Sequence, residues 1–159
     1  ENFIDRVFAY HRWRALTRGR ATRGALAAFH TQHKYLLLAH SPPHYQELER
    51  LVASAKDLTP RQSALRYGQL FMEALKVKAT VRKHVKVLKH LAGFLKGHLS
   101  RIESEKLQEA ISEYHRGGTS LPVPRTLISH YARVKEVPYL MSQAYLNPPP
   151  EELTLRNPV

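Results

Sequence analysis

The stretch from Thr80 to Leu99, TVRKHVKVLKHLAGFLKGHL, separates into two faces when wound at about 100° per residue. Arg82, Lys86, Lys89, Gly93 and Lys96 recur at steps of four, three, four and three, with Lys83, His90 and Gly97 beside them. Val81, Val85, Leu88, Leu91, Leu95 and Leu99 make the other side, where His84 and His98 also fall. An apolar face that wide must pack on the rest of the chain. The basic face carries no carboxylate, and no Asp or Glu occurs between Glu73 and Glu103. Such a row is either a solvated face of a basic protein or a surface that tracks phosphates. The small Gly93 and Gly97 would let a bulky backbone come close, which favours the second.

The remaining signals are helical, and no run alternates as a strand does. Asn2 caps a first helix to about Thr17, with Ile4, Val7, Phe8 and Leu16 on its apolar side. TRGRATRG, residues 17–24, reads as a basic junction before a helix from about Gly24 to His40. Ser41-Pro42 starts a third helix, and Thr59-Pro60-Arg61-Gln62 is a capping box opening a fourth. Ser100 to Glu103 is a second capping box, and its helix stops at Gly117-Gly118. A helix from about Pro124 to Glu136 follows; Pro138 opens a last short one, and NPPP at 147–150 ends it before an extended tail over 147–159. The expectation is an all-α chain, one compact domain over 1–159 with about seven or eight helices.

Charge narrows the function more than composition does. The 159 residues hold 25 Lys and Arg against 13 Asp and Glu, a formal charge of +12. That balance argues for a polyanionic partner, nucleic acid before an anionic membrane surface. No apolar run approaches the roughly 20 residues of a membrane-spanning helix, and no signal peptide opens the chain. The absence of Cys removes disulfides, thiolate metal sites and iron–sulfur ligation from this chain, and suits a cytoplasmic setting. Starting at Glu1 without Met, the sequence is expected to be a segment of something longer.

Three histidines, His30, His33 and His40, crowd FHTQHKYLLLAHS and raise metal binding as a reading. His33 and His40 fall within the apolar stripe of Leu26, Phe29, Leu36 and Leu37, with His30 at its edge near Lys34. A zinc site wants three or four convergent ligands, usually including a carboxylate or thiolate, whereas no acid lies between Asp5 and Glu47. Histidines packed and hydrogen-bonded in a core are the alternative. His90, facing the basic stripe, is suited to donate to phosphate or stack on a base. A second basic zone, Arg12, Arg14, Arg18, Arg20, Arg23 and Lys34, is interleaved with Tyr10, Trp13 and Tyr35, aromatics that are either core or platforms for unpaired bases. No hydrolase elbow, P-loop or dinucleotide fingerprint is present, and the carboxylate pairs sit in helix-start or tail contexts.

Four blocks in order, FHTQHKYLLLAHS (29–41), HVKVLKHLAGFLKGHL (84–99), YHRGG (114–118) and YLMSQAYLNPPPEEL (139–153), resemble the YbgA-like domain family. Members stand alone or C-terminal to a thiouracil-desulfidase-like domain with an iron–sulfur cluster, and the two ends of this chain look like the fused form. The resemblance implies a non-catalytic accessory role in removing sulfur from 4-thiouridine in tRNA. This part would hold the tRNA and an N-terminal desulfidase domain in cis would carry the cluster, with no cofactor here. His30, Lys34, His40 and Ser41 match the first block; His84, His90, Gly93, Phe94 and Lys96 the second; Tyr145, Leu146 and Asn147 the last. The nucleic-acid-binding set expected from both lines of reasoning is Arg20, Arg23, His30, Lys34, Arg82, Lys83, Lys86, Lys89, His90 and Lys96. The alternatives are a duplex DNA-binding or stress-related module and a small histidine-based metal protein.

Overall fold

In a computed structural model of the chain, the described residues are 2–148. Their regular structure is entirely helical, with eight α-helices and one 3-10 turn, as the capping and periodicity signals require. The helices form two compact units, one ending at Ala79 and one running from Thr80 to Asn147. The tail expected to be extended lies outside the described residues from 149 onward.

The first unit contains α1 (Asn2–Thr17), α2 (Arg23–His40), α3 (Pro42–Ala53), a 3-10 turn (Ala55–Asp57) and α4 (Pro60–Lys76). Here α2, α3 and α4 pack on one another and α1 lies against α4. Starts are set by side chains that accept otherwise orphaned amides: Thr22 from Ala25 at 3.0 Å, and Thr59 from Gln62 at 3.2 Å, with Gln62 returning to the Thr59 amide at 3.0 Å. Pro60 occupies the first helical turn, where its missing N–H costs nothing.

The buried line of α1 is Asp5, Ala9 and Trp13, not the predicted row of Ile4, Val7, Phe8 and Leu16, which are only partly covered. The reason is the partner surface. Gly68 of α4 receives the Trp13 indole so closely that a Cβ there would lie 2.6 Å from its Nε1. Trp13 then packs among Phe29 and Tyr67, both at 5.3 Å between ring centroids, and Phe71 at 6.3 Å. Each such pair adds about 0.5–1.5 kcal/mol beyond the area buried. Trp13 and Tyr35 are therefore core, which leaves Tyr10 as the exposed aromatic of that zone.

The second unit contains α5 (Val81–Leu95), α6 (Arg101–Arg116), α7 (Pro122–Val134) and α8 (Pro138–Met141). Leu88, Leu91, Leu95, Leu107, Ile111, Ile128 and Leu140 are among its most deeply buried aliphatics. The Ser100–Glu103 capping box forms, and Gly117 ends α6 in the left-handed region at φ +83°, open to glycine without strain. α7 begins two residues before the predicted Pro124, because Pro122 itself can fill the first turn. The Asn147 amide donates to the carbonyls of Met141 at 2.7 Å and Gln143 at 3.0 Å, closing the turn after α8.

Candidate nucleic-acid interface

Thr80 caps α5 by accepting from the Lys83 amide at 3.3 Å. From there the predicted two faces form, except that Val81, expected on the apolar side, is exposed: His84, Val85, Val87, Leu88, Leu91, Ala92 and Leu95 are buried, while Arg82, Lys86, Lys89, His90 and Gly93 are exposed. Among the described residues Arg82, Lys86 and Lys89 have no ion pair and no side-chain hydrogen bond. The acids bracketing this acid-free span in the sequence are engaged elsewhere. Glu73 pairs with Lys76 at 2.6 Å, and Glu103 accepts from the Ser100 amide and pairs with Lys135 at 3.1 Å. The Ser100 amide, and after it Lys135, hold the Glu103 carboxyl below the usual range.

The helix stops at Leu95, four residues short of the expected Leu99. Gly97 takes φ +90°, which breaks the ladder. Lys96 thus sits past the helical row, exposed but off its spacing, and His98 is exposed instead of packed. His84 is buried as predicted, with Nδ1 2.8 Å from the Tyr145 hydroxyl. Gly93 is open: a Cβ there would meet nothing within 4 Å, so packing does not require glycine at that position.

Beside the lysines lies an aromatic surface that the periodicity does not reveal. His90 stacks on Phe94 at 5.7 Å, and Phe94, 39% exposed, leans on Tyr139 of α8 at 5.0 Å. The signal for Phe94 was its spacing of four from His90. Tyr139 opens the last block of the family resemblance, but its pairing with Phe94 spans 45 residues and exists only once α8 is in place.

The first unit sorts its basic residues differently. Arg23 is exposed but already engaged, donating to the carbonyls of Ala55 at 3.0 Å and Leu58 at 2.6 Å, and so fastens the start of α2 to the 3-10 turn. His30, a member of the expected set, is buried, with Nδ1 3.0 Å from the Tyr67 hydroxyl and its ring stacked on Tyr45 at 5.2 Å. Burial lowers its pKa. Lys34 is half-buried with Nζ 5.6 Å from the Tyr45 ring centre, a cation–π arrangement. Arg14, Arg18 and Arg20 are exposed and, among the described residues, unpaired.

The three crowded histidines do not converge. His33 Nδ1 donates to the Phe29 carbonyl at 2.8 Å, which leaves Nε2 to accept from Arg12 Nε at 3.0 Å. Burial, with Arg12 adding to it, pushes His33 down to about 4. His40 faces the Val77 carbonyl at 2.8 Å and Asp5 at 3.3 Å. Among the described residues no three His, Asp or Glu side chains are placed to hold a metal ion. An iron–sulfur cluster does not fit either, for the chain has no thiolate to bind one. No helix among the described residues is long and apolar enough to cross a membrane.

The family model described as "Protein of unknown function (DUF1722)" matches residues 34–150, which include all of α5 and the aromatic trio. The protein of Escherichia coli (strain K12) called "Uncharacterized protein YbgA" is 32% identical over 158 residues, covering 99% of this chain and 94% of that one. No solved structure matches the chain. The chain therefore belongs to the DUF1722 family and is YbgA-like along nearly its whole length.

Proposed function

We propose that this protein is a cytoplasmic tRNA-binding accessory domain that presents tRNA to a desulfidase domain for sulfur removal from 4-thiouridine. The observation that carries the RNA part is the exposed face of α5. Arg82, Lys86 and Lys89 stand unpaired among the described residues, next to a surface aromatic stack of His90, Phe94 and Tyr139. Unneutralised cations at helical spacing suit a phosphate backbone, and exposed rings beside them suit unpaired bases, the features by which RNA is told from plain duplex. Gly93 fits the same reading: the fold has room for a side chain there, while a backbone lying across the helix would not. The desulfidase partner is supported by the sequence resemblance and by the lack of any thiolate in this chain, so that sulfur chemistry would reside in the partner domain.

The test is binding of bulk tRNA across a salt series, with duplex DNA of similar length alongside. Tight binding that prefers tRNA and weakens steeply with salt is expected. Equal binding of both would move the assignment to a general nucleic-acid binder. Weak binding of both would remove RNA as the partner of the isolated chain.

A further inference from the structure

The first unit holds a groove of about 1060 Å³ between α1, the α1–α2 loop and α4. Its volume is at the upper end of the few hundred to about 1,000 Å³ common for small-ligand sites. Three guanidinium groups line it: Arg14 from α1, Arg20 from the loop and Arg61 from the first turn of α4. All three are exposed, and among the described residues none has an ion pair or a side-chain hydrogen bond. The one acid lining it, Glu73, is already paired with Lys76 at 2.6 Å. Thus the groove is strongly positive and its charges are unspent within the fold.

Its apolar lining, which includes Leu65 and Met72, also holds two aromatic side chains. Tyr10, 44% exposed, stands one helical turn before Arg14 on α1. Trp13, held against Gly68, lines the groove while only 8% exposed, and its indole N–H has no acceptor among the described residues. A ring to stack on and forks that match phosphate oxygens together describe a ligand with a flat base and a phosphate. We infer that the α1–α4 groove binds a nucleoside phosphate, either a free mononucleotide or an unpaired nucleotide of an RNA strand. The site is independent of the α5 face, and only its RNA source rests on the tRNA reading above.

Trp13 is the sole tryptophan, so its fluorescence reports on this groove. The full chain is titrated with uridine monophosphate, uridine, inorganic phosphate and a short oligouridylate, with red-edge excitation. Saturable quenching by the mononucleotide or the oligonucleotide is expected, with uridine and phosphate each much weaker. Arg14→Gln with Arg61→Gln should weaken mononucleotide binding about tenfold or more, because each guanidinium removed takes a charge-assisted bond with it. Lys86→Gln with Lys89→Gln should leave it unchanged. Tyr10→Ala should weaken the mononucleotide but not phosphate. Circular dichroism checks that the variants fold, which the exposed, unpaired side chains predict. Quenching by the oligonucleotide alone assigns the site to an RNA strand, and quenching by the mononucleotide in a chain that ignores tRNA keeps the groove while ending the tRNA reading. Non-saturating quenching, equal response to phosphate, or affinity indifferent to the arginine variant overturns the inference, even where tRNA binds through α5.

Discussion

Replacing Lys86 and Lys89 by Gln tests the α5 face without touching the fold. Both side chains are exposed and unpaired among the described residues, and Gln has nearly the helix propensity of Lys, so stability should change by no more than about 0.5 kcal/mol. Every lysine–phosphate ion pair that is removed reduces the slope of log K against log salt by about 0.7 for a single strand and about 0.9 for a duplex. Removing two such pairs therefore flattens the slope by about 1.4–1.8, whatever other cations contribute. Between 50 and 200 mM salt, the range customary for such titrations, the variant should lose about tenfold less affinity than the parent. At low salt it should bind more weakly, so the two curves converge as salt rises. Fluorescence anisotropy of labelled tRNA measures both curves. An unchanged slope in a folded double variant would mean that Lys86 and Lys89 meet no phosphate, and unpaired charge would then be no guide to the interface.

Gly93→Ala should stabilise the domain by about 0.5–1 kcal/mol, since a helix-interior glycine is replaced where a Cβ meets nothing, and denaturant midpoints will show it. If an RNA backbone crosses there, Gly93→Leu should weaken tRNA binding while the fold holds. Gly68→Ala should act the other way, costing about 1–3 kcal/mol, because its Cβ would sit 2.6–2.9 Å from an indole wedged among three other rings. A blue- or red-shifted Trp13 emission should accompany the lower melting temperature, and unchanged melting would show that the helices part freely. His33 sets a pH dependence. Its folded pKa lies near 4, so between about 6.5 and 4 the unfolded chain binds a proton that the native one refuses, and stability falls as pH falls. The loss reaches about 3 kcal/mol by pH 4, with His30 acting in the same direction. Urea midpoints that stay level from pH 7 to 4.5 would contradict it, and His33→Gln should reduce the slope, leaving the share that His30 supplies.

Local signals carried far in this chain. The two capping boxes, Pro60 in the first turn of α4 and the glycine stop at Gly117 each specify their own few residues, and each formed as read. What escaped was set by partners distant in sequence. The buried side of α1 depends on Gly68, which no pattern within residues 2–17 reveals. The end of α5 depends on Gly97 adopting a positive φ, although the apolar spacing continues to Leu99. The apolar stripe placed His33 toward the core and His30 at its edge, but the partners that hold them, Tyr67, Tyr45 and Arg12, come from α4, α3 and α1 and left no local trace.

The same distinction governs how net charge should be used. A charge of +12 says that a polyanion is welcome but not where. In the basic run from Arg12 to Arg23, alternate residues serve opposite ends: Arg12 holds His33 and Arg23 holds two carbonyls, whereas Arg14 and Arg20 remain exposed and unpaired among the described residues. A guanidinium already satisfied by the fold would have to break those bonds to meet a phosphate, and its removal would harm folding and binding together. One left unsatisfied costs the fold nothing when it is replaced. Variants at Arg12 and Arg23 should thus lower stability, and those at Arg14, Arg20, Lys86 and Lys89 should change binding alone. That separation is what makes the residual charge, and not the total, the quantity that locates an interface.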